Sequence, residues 1–251
     1  MANFGFFNQN GKEYTITNYM TPRPLMNYFW NDRFMSGVNH FGGGDGSYGQ
    51  KAASYIDPDG RGRAVLINNG NRYVYVRDME DGSLWNPGWY PARTEITEYS
   101  CRQGLGYTVV GAARNGIRVE LTGFVPEHEP AEIWRVSVEN HSGREKQIKI
   151  YPYVEFSLEG YSRYSEYDSY VSAYYLESHR MVYAENNAQE RPHPWFNGFI
   201  ASNGEVSGFE TSQKRFWAYM EIFTARNLPQ RGNAPIQKLP ASGWPACWSI
   251  P

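Results

Sequence analysis

The sequence predicts an all-β protein, built as a large two-sheet antiparallel β-sandwich. Apolar and polar residues alternate with a period of two in many short segments, as in strands that bury one face. Glycine, asparagine, aspartate and serine separate these segments, where tight turns favour them. No long segment has the periodicity of a helix. We therefore predict that residues 1–224 of the 251-residue chain form the sandwich, which is long enough for a sizeable core.

The first clear strand signals are the segments RAVLIN (63–68) and NRYVYVRD (71–78). Their valine, isoleucine and tyrosine side chains favour strands. The residues NNGN at 68–71, which link them, have the composition of a turn. The segment thus predicts two short strands joined by a turn.

A hairpin is the next predicted element. The segments IRVELTGFV (117–125), EIWRVSVEN (132–140) and QIKIYPYVEF (147–156) each place apolar residues at alternate positions, on one face of a strand. Because HSGREK at 141–146 reads as a turn, the last two segments are predicted to pair as an antiparallel hairpin. Further strands are predicted at SYVSAYYLES (169–178), HRMVYAEN (179–186), NGFIAS (197–202) and VSGFET (206–211).

Two segments depart from this alternation. Residues 39–53, NHFGGGDGSYGQKAA, contain five glycines between Gly42 and Gly49 and are predicted to be a loop. Such a loop could be a plain surface connection or could lie close to a ligand, with Asp45 as its candidate contact. The second segment, 225–251, has five prolines and no hydrophobic period. It is predicted to be a disordered tail or the product of a truncation.

Composition excludes several classes of partner. Lysine and arginine number 24 against 26 acidic residues, a net charge of −2, so neither nucleic acid nor an anionic membrane surface is favoured. The N-terminus lacks the pattern of a secretion signal, and no window approaches the ~18 apolar residues of a membrane span. We expect a cytoplasmic protein. Cys101 and Cys247 could form one disulfide or remain free thiols.

Residues for common catalytic chemistry are sparse. The five histidines are scattered, so no metal site is predicted. Neither a nucleophile elbow nor a dinucleotide fingerprint is found. Glu120, Glu139 and Glu155 lie on the polar side of predicted strands, where a solvated sheet face explains them. We therefore name no catalytic residue.

Aromatic residues are abundant, at 16% of the chain. Trp85 and Trp89 flank a Pro-Gly turn, and Arg102 and Gln103 follow as hydrogen-bond donors. An exposed tryptophan beside such donors could stack on a sugar ring, whereas a tryptophan in a β-sandwich could equally fill the core. The pattern alone leaves both interpretations open.

The segment WNPGWYPARTEITEYSCRQGLGYT, residues 85–108, resembles the W-x-P-G-W-x-P … Y-x-C-R-x-G-L-G-Y-T signature of family 94 glycoside phosphorylases, the cellobiose, cellodextrin and chitobiose phosphorylase group. The segments at 13–34, 70–78 and 124–156 are also similar to this family, so the resemblance covers about residues 1–217. It implies the family's N-terminal domain, a supersandwich like that of galactose mutarotases. The family's catalytic helical barrel has no counterpart in the chain.

The resemblance also implies a function. Family members are inverting phosphorylases of β-linked oligosaccharides, with inorganic phosphate as co-substrate and no cofactor; one carboxylic acid protonates the glycosidic oxygen. Their N-terminal domain contributes to a homodimer, and a loop reaches toward the neighbouring subunit's active site. Here that loop is Phe41–Lys51, with Asp45, Tyr48, Gln50 and Lys51 as candidates. Gln103 stands where cellobiose phosphorylases often have histidine, which argues against cellobiose.

Two other functions are compatible with the sequence. A mutarotase-like enzyme could use a histidine and a glutamate such as His128 and Glu155. A purely structural dimerisation domain would need its aromatic residues only as core.

Overall fold

The structure is a computed structural model that describes residues 4–48, 64–160, 171–186, 197–212, 215–216, 218 and 244–249. Strands are the main regular secondary structure of the described residues, which confirms the all-β prediction. The strands are β1 (Gly5–Phe7), β2 (Glu13–Ile16), β3 (Met26–Trp30), β4 (Phe34–Asn39), β5 (Gly44–Tyr48), β6 (Ala64–Asp78), β7 (Leu84–Trp85), β8 (Thr97–Gly104), β9 (Tyr107–Arg114), β10 (Ile117–Phe124), β11 (Ile133–Asn140), β12 (Ile148–Gly160), β13 (Val171–Leu176), β14 (Met181–Asn186), β15 (Asn197–Ala201), β16 (Gly208–Glu210) and β17 (Trp244–Ser249).

Two large antiparallel sheets and one small sheet make up the described fold. The six-stranded sheet has the order β1-β2-β8-β9-β10-β11, and the eight-stranded sheet contains β16-β17-β12-β6-β5-β4-β3, with β7 paired to β6. The three-stranded sheet has the order β13-β14-β15. The two large sheets agree with the predicted sandwich. The small third sheet was not predicted as a separate layer, because alternation alone does not say which strands pair.

The main core lies between the two large sheets. It contains Val74 and Val76 of β6 and Val119 and Leu121 of β10, with Trp85 packed among them. The opposite face of the eight-stranded sheet buries tyrosines, among them Tyr75 and Tyr153. β12 also packs against the three-stranded sheet. The eight-stranded sheet is therefore buried on both faces of its central strands.

The predicted hairpin of 132–140 with 147–156 is wrong. β11 pairs with β10 at the end of the six-stranded sheet, whereas β12 pairs with β6 in the other sheet. The connection crosses between the sheets and is fastened by Lys146, whose Nζ lies 3.0 Å from Asp78 Oδ2 and 2.5 Å from Glu80 Oε2. A turn sequence predicts where the chain bends, but it does not predict which strand the next strand pairs with.

The turn predicted at 68–71 is also absent. β6 runs without a break from Ala64 to Asp78, and its pairing with β12 shows register shifts after Val154 and Phe156. These irregularities accommodate the long strand, because a bulge bends a strand without ending it. The asparagines and the glycine at 68–71 interrupt the alternation of apolar and polar residues, but they do not end the strand.

Part of the glycine-rich segment is a strand, against the prediction of a loop. β5 pairs with β4 and β6, and its glycines allow close contact between the backbones. A Cβ added at Gly44 would lie 1.8 Å from the carbonyl oxygen of Gly37. Glycine is needed at this position because the two backbones leave no space for a side chain, and not because the segment has to be flexible. Residues 49–63 lie outside the described residues.

The expectation of an unstructured tail does not hold for Trp244–Ser249. These residues form β17, which lies between β12 and β16. Backbone pairing needs no regular hydrophobic pattern, so the proline-rich composition concealed the strand. The rest of 225–251, and the boundary predicted at residue 224, remain predictions. In the part of the chain that the structure describes, no helix is long and apolar enough to cross a membrane.

Candidate functional site

Trp85 is a core residue. Only 1% of its surface is exposed, and it packs in the cluster between the two large sheets. The side chain of Asn86, next to it, is also buried, and its Nδ2 donates a hydrogen bond to the carbonyl oxygen of Tyr90 at 2.6 Å. Trp85 therefore offers no free face to a sugar ring.

Trp89 and Gly88 support the start of the glycine-rich segment. The Trp89 ring stacks on Tyr19, with centroids 5.1 Å apart and an interplanar angle of 21°. A Cβ on Gly88 would lie 1.8 Å from the carbonyl oxygen of Phe41, so only glycine permits this approach. The Pro-Gly turn is thus a support that fixes the backbone at Phe41, just before β5.

His40 anchors the same region from inside. Its Nδ1 accepts a hydrogen bond from the backbone N–H of Leu25 at 3.1 Å, so the ring proton lies on Nε2, 3.2 Å from the carbonyl oxygen of Tyr19. The Tyr99 hydroxyl donates to the His40 carbonyl oxygen at 2.7 Å. Burial lowers the pKa of His40, against the effect of its two backbone hydrogen bonds. His40 is therefore a neutral structural residue.

Arg102 and Gln103 do not form a common platform with Trp85. As neighbours on β8 they point to opposite faces of the sheet. Arg102 lies 3.7 Å from Glu120 in an ion pair, and Gln103 Nε2 donates to the carbonyl oxygen of Leu25 at 2.9 Å. The donors predicted for a sugar are engaged within the protein.

Asp45 lies beside an exposed aromatic pair that the sequence analysis missed. Tyr28, Gly37 and Asp45 form one row across β3, β4 and β5, and residues in one row share a face. A Cβ on Gly37 would lie 2.5 Å from Asp45 Oδ1 and 2.9 Å from the Tyr28 ring. Hence the carboxylate and the ring meet over Gly37. Asp45 Oδ1 is buried and has no hydrogen-bond partner among the residues that the structure describes.

Trp30 extends this surface along the edge strand β3. In MNYFW, Phe29 is buried, whereas Tyr28 is 51% exposed and Trp30 is 58% exposed. The two exposed rings are two residues apart on one face. We call Tyr28, Trp30 and Asp45 the edge-strand platform. The alternation in MNYFW predicts that Tyr28 and Trp30 share one face of a strand. The sequence does not say that this face is exposed.

The remaining loop candidates are only partly placed. Tyr48 ends β5, paired with Phe34 and Ala64. Gln50 and Lys51 lie outside the described residues. The predicted roles of these three residues therefore remain predictions.

The carboxylates considered for catalysis have different surroundings. His128 is exposed, whereas Glu155 is buried and accepts a hydrogen bond from the Tyr153 hydroxyl. The two side chains of the mutarotase-like hypothesis thus lie in opposite environments. Glu120 pairs with Arg118 at 2.7 Å, and Glu139 lies 3.0 Å from His141. The Glu120–Arg118 ion pair and the Glu139–His141 contact lie at the surface, as a solvated sheet face predicts. For Glu155 that prediction is wrong, because its side chain is buried.

A cleft of about 1190 Å³ lies between β11 and β15. Arg72 and Glu132 form a buried ion pair on its wall. Trp134 Nε1 donates to Glu132 Oε1 at 2.6 Å, and the Arg72 guanidinium lies 4.9 Å from the centre of the Trp134 ring. Burial raises the pKa of Glu132, and the Arg72 charge opposes this. The ion pair links the two large sheets, since Arg72 lies on β6 and Glu132 precedes β11.

No group of three or more histidine, cysteine, aspartate or glutamate side chains suited to a metal ion occurs within the described ranges. The edge-strand platform can bind without breaking bonds: its rings can pack against the C–H faces of a sugar, and Asp45 can accept hydrogen bonds from hydroxyl groups.

Comparison with known proteins gives a consistent result. The family model for the glycosyl hydrolase 94 supersandwich domain matches residues 12–226. The chain is 54% identical over 216 residues to a solabiose phosphorylase of Paenibacillus borealis, covering 86% of this chain and 28% of that protein. It is 34% identical over 157 residues to an N,N'-diacetylchitobiose phosphorylase of Vibrio proteolyticus, covering 62% of this chain and 19% of that protein.

A third relative is a 3-O-beta-D-glucopyranosyl-beta-D-glucuronide phosphorylase of Paenibacillus borealis. It is 31% identical over 156 residues, covering 62% of this chain and 19% of that protein. The chain therefore spans less than a third of the length of these relatives.

Proposed function

The chain belongs to the glycosyl hydrolase 94 family through its supersandwich domain, and we propose that it is the carbohydrate-binding and assembly domain of an inverting glycoside phosphorylase. The full enzyme would act on β-linked oligosaccharides and release a sugar 1-phosphate. The names of the relatives support this class of reaction. The role of this chain is binding and positioning, without catalysis of its own.

The observation that carries this proposal is the edge-strand platform. Tyr28 and Trp30 expose two rings on one face, and the Asp45 carboxylate lies next to the first ring. Sugars combine apolar C–H faces with hydroxyl groups, so adjacent rings and a hydrogen-bond acceptor complement them. A core-only role for the aromatic residues would leave these two exposed rings unexplained.

The assembly role rests on the support around Phe41. Gly88 and Trp89 fix the backbone before β5, and β5 carries Asp45 and leads into Tyr48. We propose that the segment Phe41–Lys51 contributes to the active site of a second subunit in a homodimer, with β5 held between β4 and β6 as its base. A rigid base suits this task, because a binding residue must be held in position to contribute affinity.

The reaction assigned to the full enzyme needs one carboxylic acid. That acid protonates the glycosidic oxygen, while inorganic phosphate attacks the anomeric carbon from the opposite face and takes the place of an activated water. We assign no residue of this chain to either step, and the reaction needs no cofactor. A cytoplasmic location belongs to the same proposal; the free, buried thiol of Cys101 fits a reducing compartment.

The proposal is tested by calorimetric titration of the purified chain with β-linked disaccharides, with phosphate-dependent release of sugar 1-phosphate assayed in parallel. We expect binding without turnover. Asp45→Asn and Tyr28→Ala should each weaken binding several-fold. Gly37→Ala should do the same, because its new methyl group displaces both side chains.

Phe6→Ala is the matched control, since Phe6 is 55% exposed on a different sheet; its binding should equal that of the unmodified chain. Release of sugar 1-phosphate by this chain would contradict the non-catalytic role. Binding that is insensitive to Tyr28 and Asp45, or no binding at all, would contradict the carbohydrate role of the platform.

A further inference from the structure

The outer face of the three-stranded sheet carries an aromatic row. Tyr174, Tyr183 and Phe199 are directly opposite one another across β13, β14 and β15. The other face of this sheet packs on β12 through Val182 and Ala184. Since side chains alternate between faces, the aromatic row is turned away from the core. Phe199 is 58% exposed, and Tyr174 is also exposed.

A polar row lies beside the aromatic row on the same face. Ser172, Glu185 and Asn197 are opposite one another in the same three strands, each two residues from an aromatic residue. They provide a hydroxyl, a carboxylate and an amide. Glu185 lies two residues from Tyr183 on β14 and therefore shares its face. Burial, and then the charges of Tyr174 and Glu185, raise the pKa of Tyr183.

We propose that this face is a second carbohydrate-binding surface, which takes a soluble β-linked oligosaccharide. The aromatic row suits the C–H faces of successive sugar rings, and the polar row suits their hydroxyl groups. The inference rests on the proposed function, because it extends the same class of ligand to a second site. A ligand bound here would be held apart from the edge-strand platform, which belongs to the eight-stranded sheet.

The geometry of the rings favours a single soluble chain over a flat, insoluble surface. The rings of Tyr174 and Tyr183 are 5.4 Å apart and inclined by 49°, so they do not form one plane. Three neighbouring strands span about 10 Å, the scale of a short oligosaccharide. Asn197 and Phe199 also line the cleft between β11 and β15. An oligosaccharide that lies on the aromatic row therefore has room to extend past β15 into this cleft.

The test is calorimetric titration of the purified chain with soluble cello- and laminari-oligosaccharides. Phe199→Ala and Tyr174→Ala should each raise the dissociation constant about tenfold, which corresponds to about 1.4 kcal/mol. Asn197→Ala should weaken binding to a smaller extent. Phe6→Ala is again the control and should leave the affinity unchanged. Far-UV circular dichroism and the melting temperature confirm that each variant folds.

Phe199→Leu separates a sugar from a protein partner. Leucine keeps an apolar side chain but lacks the flat ring, so oligosaccharide binding should fall as it does in Phe199→Ala. Unchanged oligosaccharide affinity in Phe199→Leu and Phe199→Ala would overturn the inference and would favour the face as a protein contact. Binding lost only in Tyr28→Ala would likewise overturn it while leaving the proposed function intact.

The opposite pattern distinguishes the two proposals. Oligosaccharide binding that depends on Tyr174 and Phe199 but not on Tyr28 would support the second surface and contradict the edge-strand platform. Absence of any oligosaccharide binding by the folded chain would overturn the inference.

Discussion

At the scale of single residues, Trp85 shows how a binding motif and a core motif can look alike in sequence. Its neighbour in the fold is Val76 of β6, and both side chains belong to the cluster between the sheets. The Pro-Gly turn that follows directs Trp89 to a different environment, where it stacks on Tyr19. Two tryptophans four residues apart therefore have different structural roles: Trp85 fills the core, and Trp89 stacks on Tyr19.

Trp85→Ala should lower the free energy of unfolding by about 3–5 kcal/mol, because it removes a large buried side chain and leaves a cavity. Urea titration followed by far-UV circular dichroism measures the loss. Trp30→Ala is the control: its side chain is largely exposed, so its stability should change by no more than about 0.5 kcal/mol. Equal stability of the two variants would contradict the core position of Trp85.

His40 gives a pH dependence with a defined sign. Its pKa in the folded protein lies below the ordinary value of 6.5. Between these two values the unfolded chain binds a proton that the folded chain does not, so His40 makes the protein less stable as the pH falls below about 6.5. The loss is complete once the pH is below the folded pKa.

His40→Gln tests this dependence. The unfolding free energy of the unmodified protein, compared with that of His40→Gln, should decline as the pH falls from neutrality through 6.5. A His40→Gln difference that is constant with pH would mean that the folded pKa is not lowered.

At the scale of elements, one ion pair joins the two large sheets. Arg72 on β6 also donates to the carbonyl oxygen of Gly37 on β4 at 3.2 Å, so its guanidinium links β4 and β6 to the residue before β11. Both charged side chains are almost fully buried. Such a pair is costly to break, because the remaining charge stays buried without its partner.

Glu132→Ala should therefore cost about 3–5 kcal/mol of stability, as measured by urea titration. The double variant Arg72→Met with Glu132→Leu should be more stable than Glu132→Ala, since apolar side chains of similar size need no partner. If the double variant were less stable than the single one, the Arg72 charge would have adequate partners without Glu132.

At the scale of the whole molecule, Cys101 reports on the integrity of the fold. It is a free thiol, fully buried with Ile16 and Val110 in a core cluster of the six-stranded sheet. Burial raises the pKa of its thiol, and the thiolate is the reactive form. Cys101 can therefore react only when the sheet opens.

In the Cys247→Ser variant, Cys101 is the sole cysteine. Its reaction with a thiol reagent should be slow in buffer and should accelerate in proportion to the unfolded fraction as urea is added. Circular dichroism at the same urea concentrations gives that fraction. Rapid reaction of the folded protein would show that the six-stranded sheet opens locally at β8.

The sequence by itself determined the all-β class, most strand positions and the family, because alternation and the signature at residues 85–108 are local properties of the chain. It could not assign β11 and β12 to different sheets or recognise β6 as one strand, since pairing depends on contacts between distant segments. The sequence shows Trp85 and Trp89 as aromatic residues beside a turn, but only the packing of the sheets decides that Trp85 fills the core. Tyr28 and Trp30 became candidates only when the tertiary structure showed that β3 is an edge strand with both rings exposed, because exposure is a property of neighbours that the sequence of a strand does not contain.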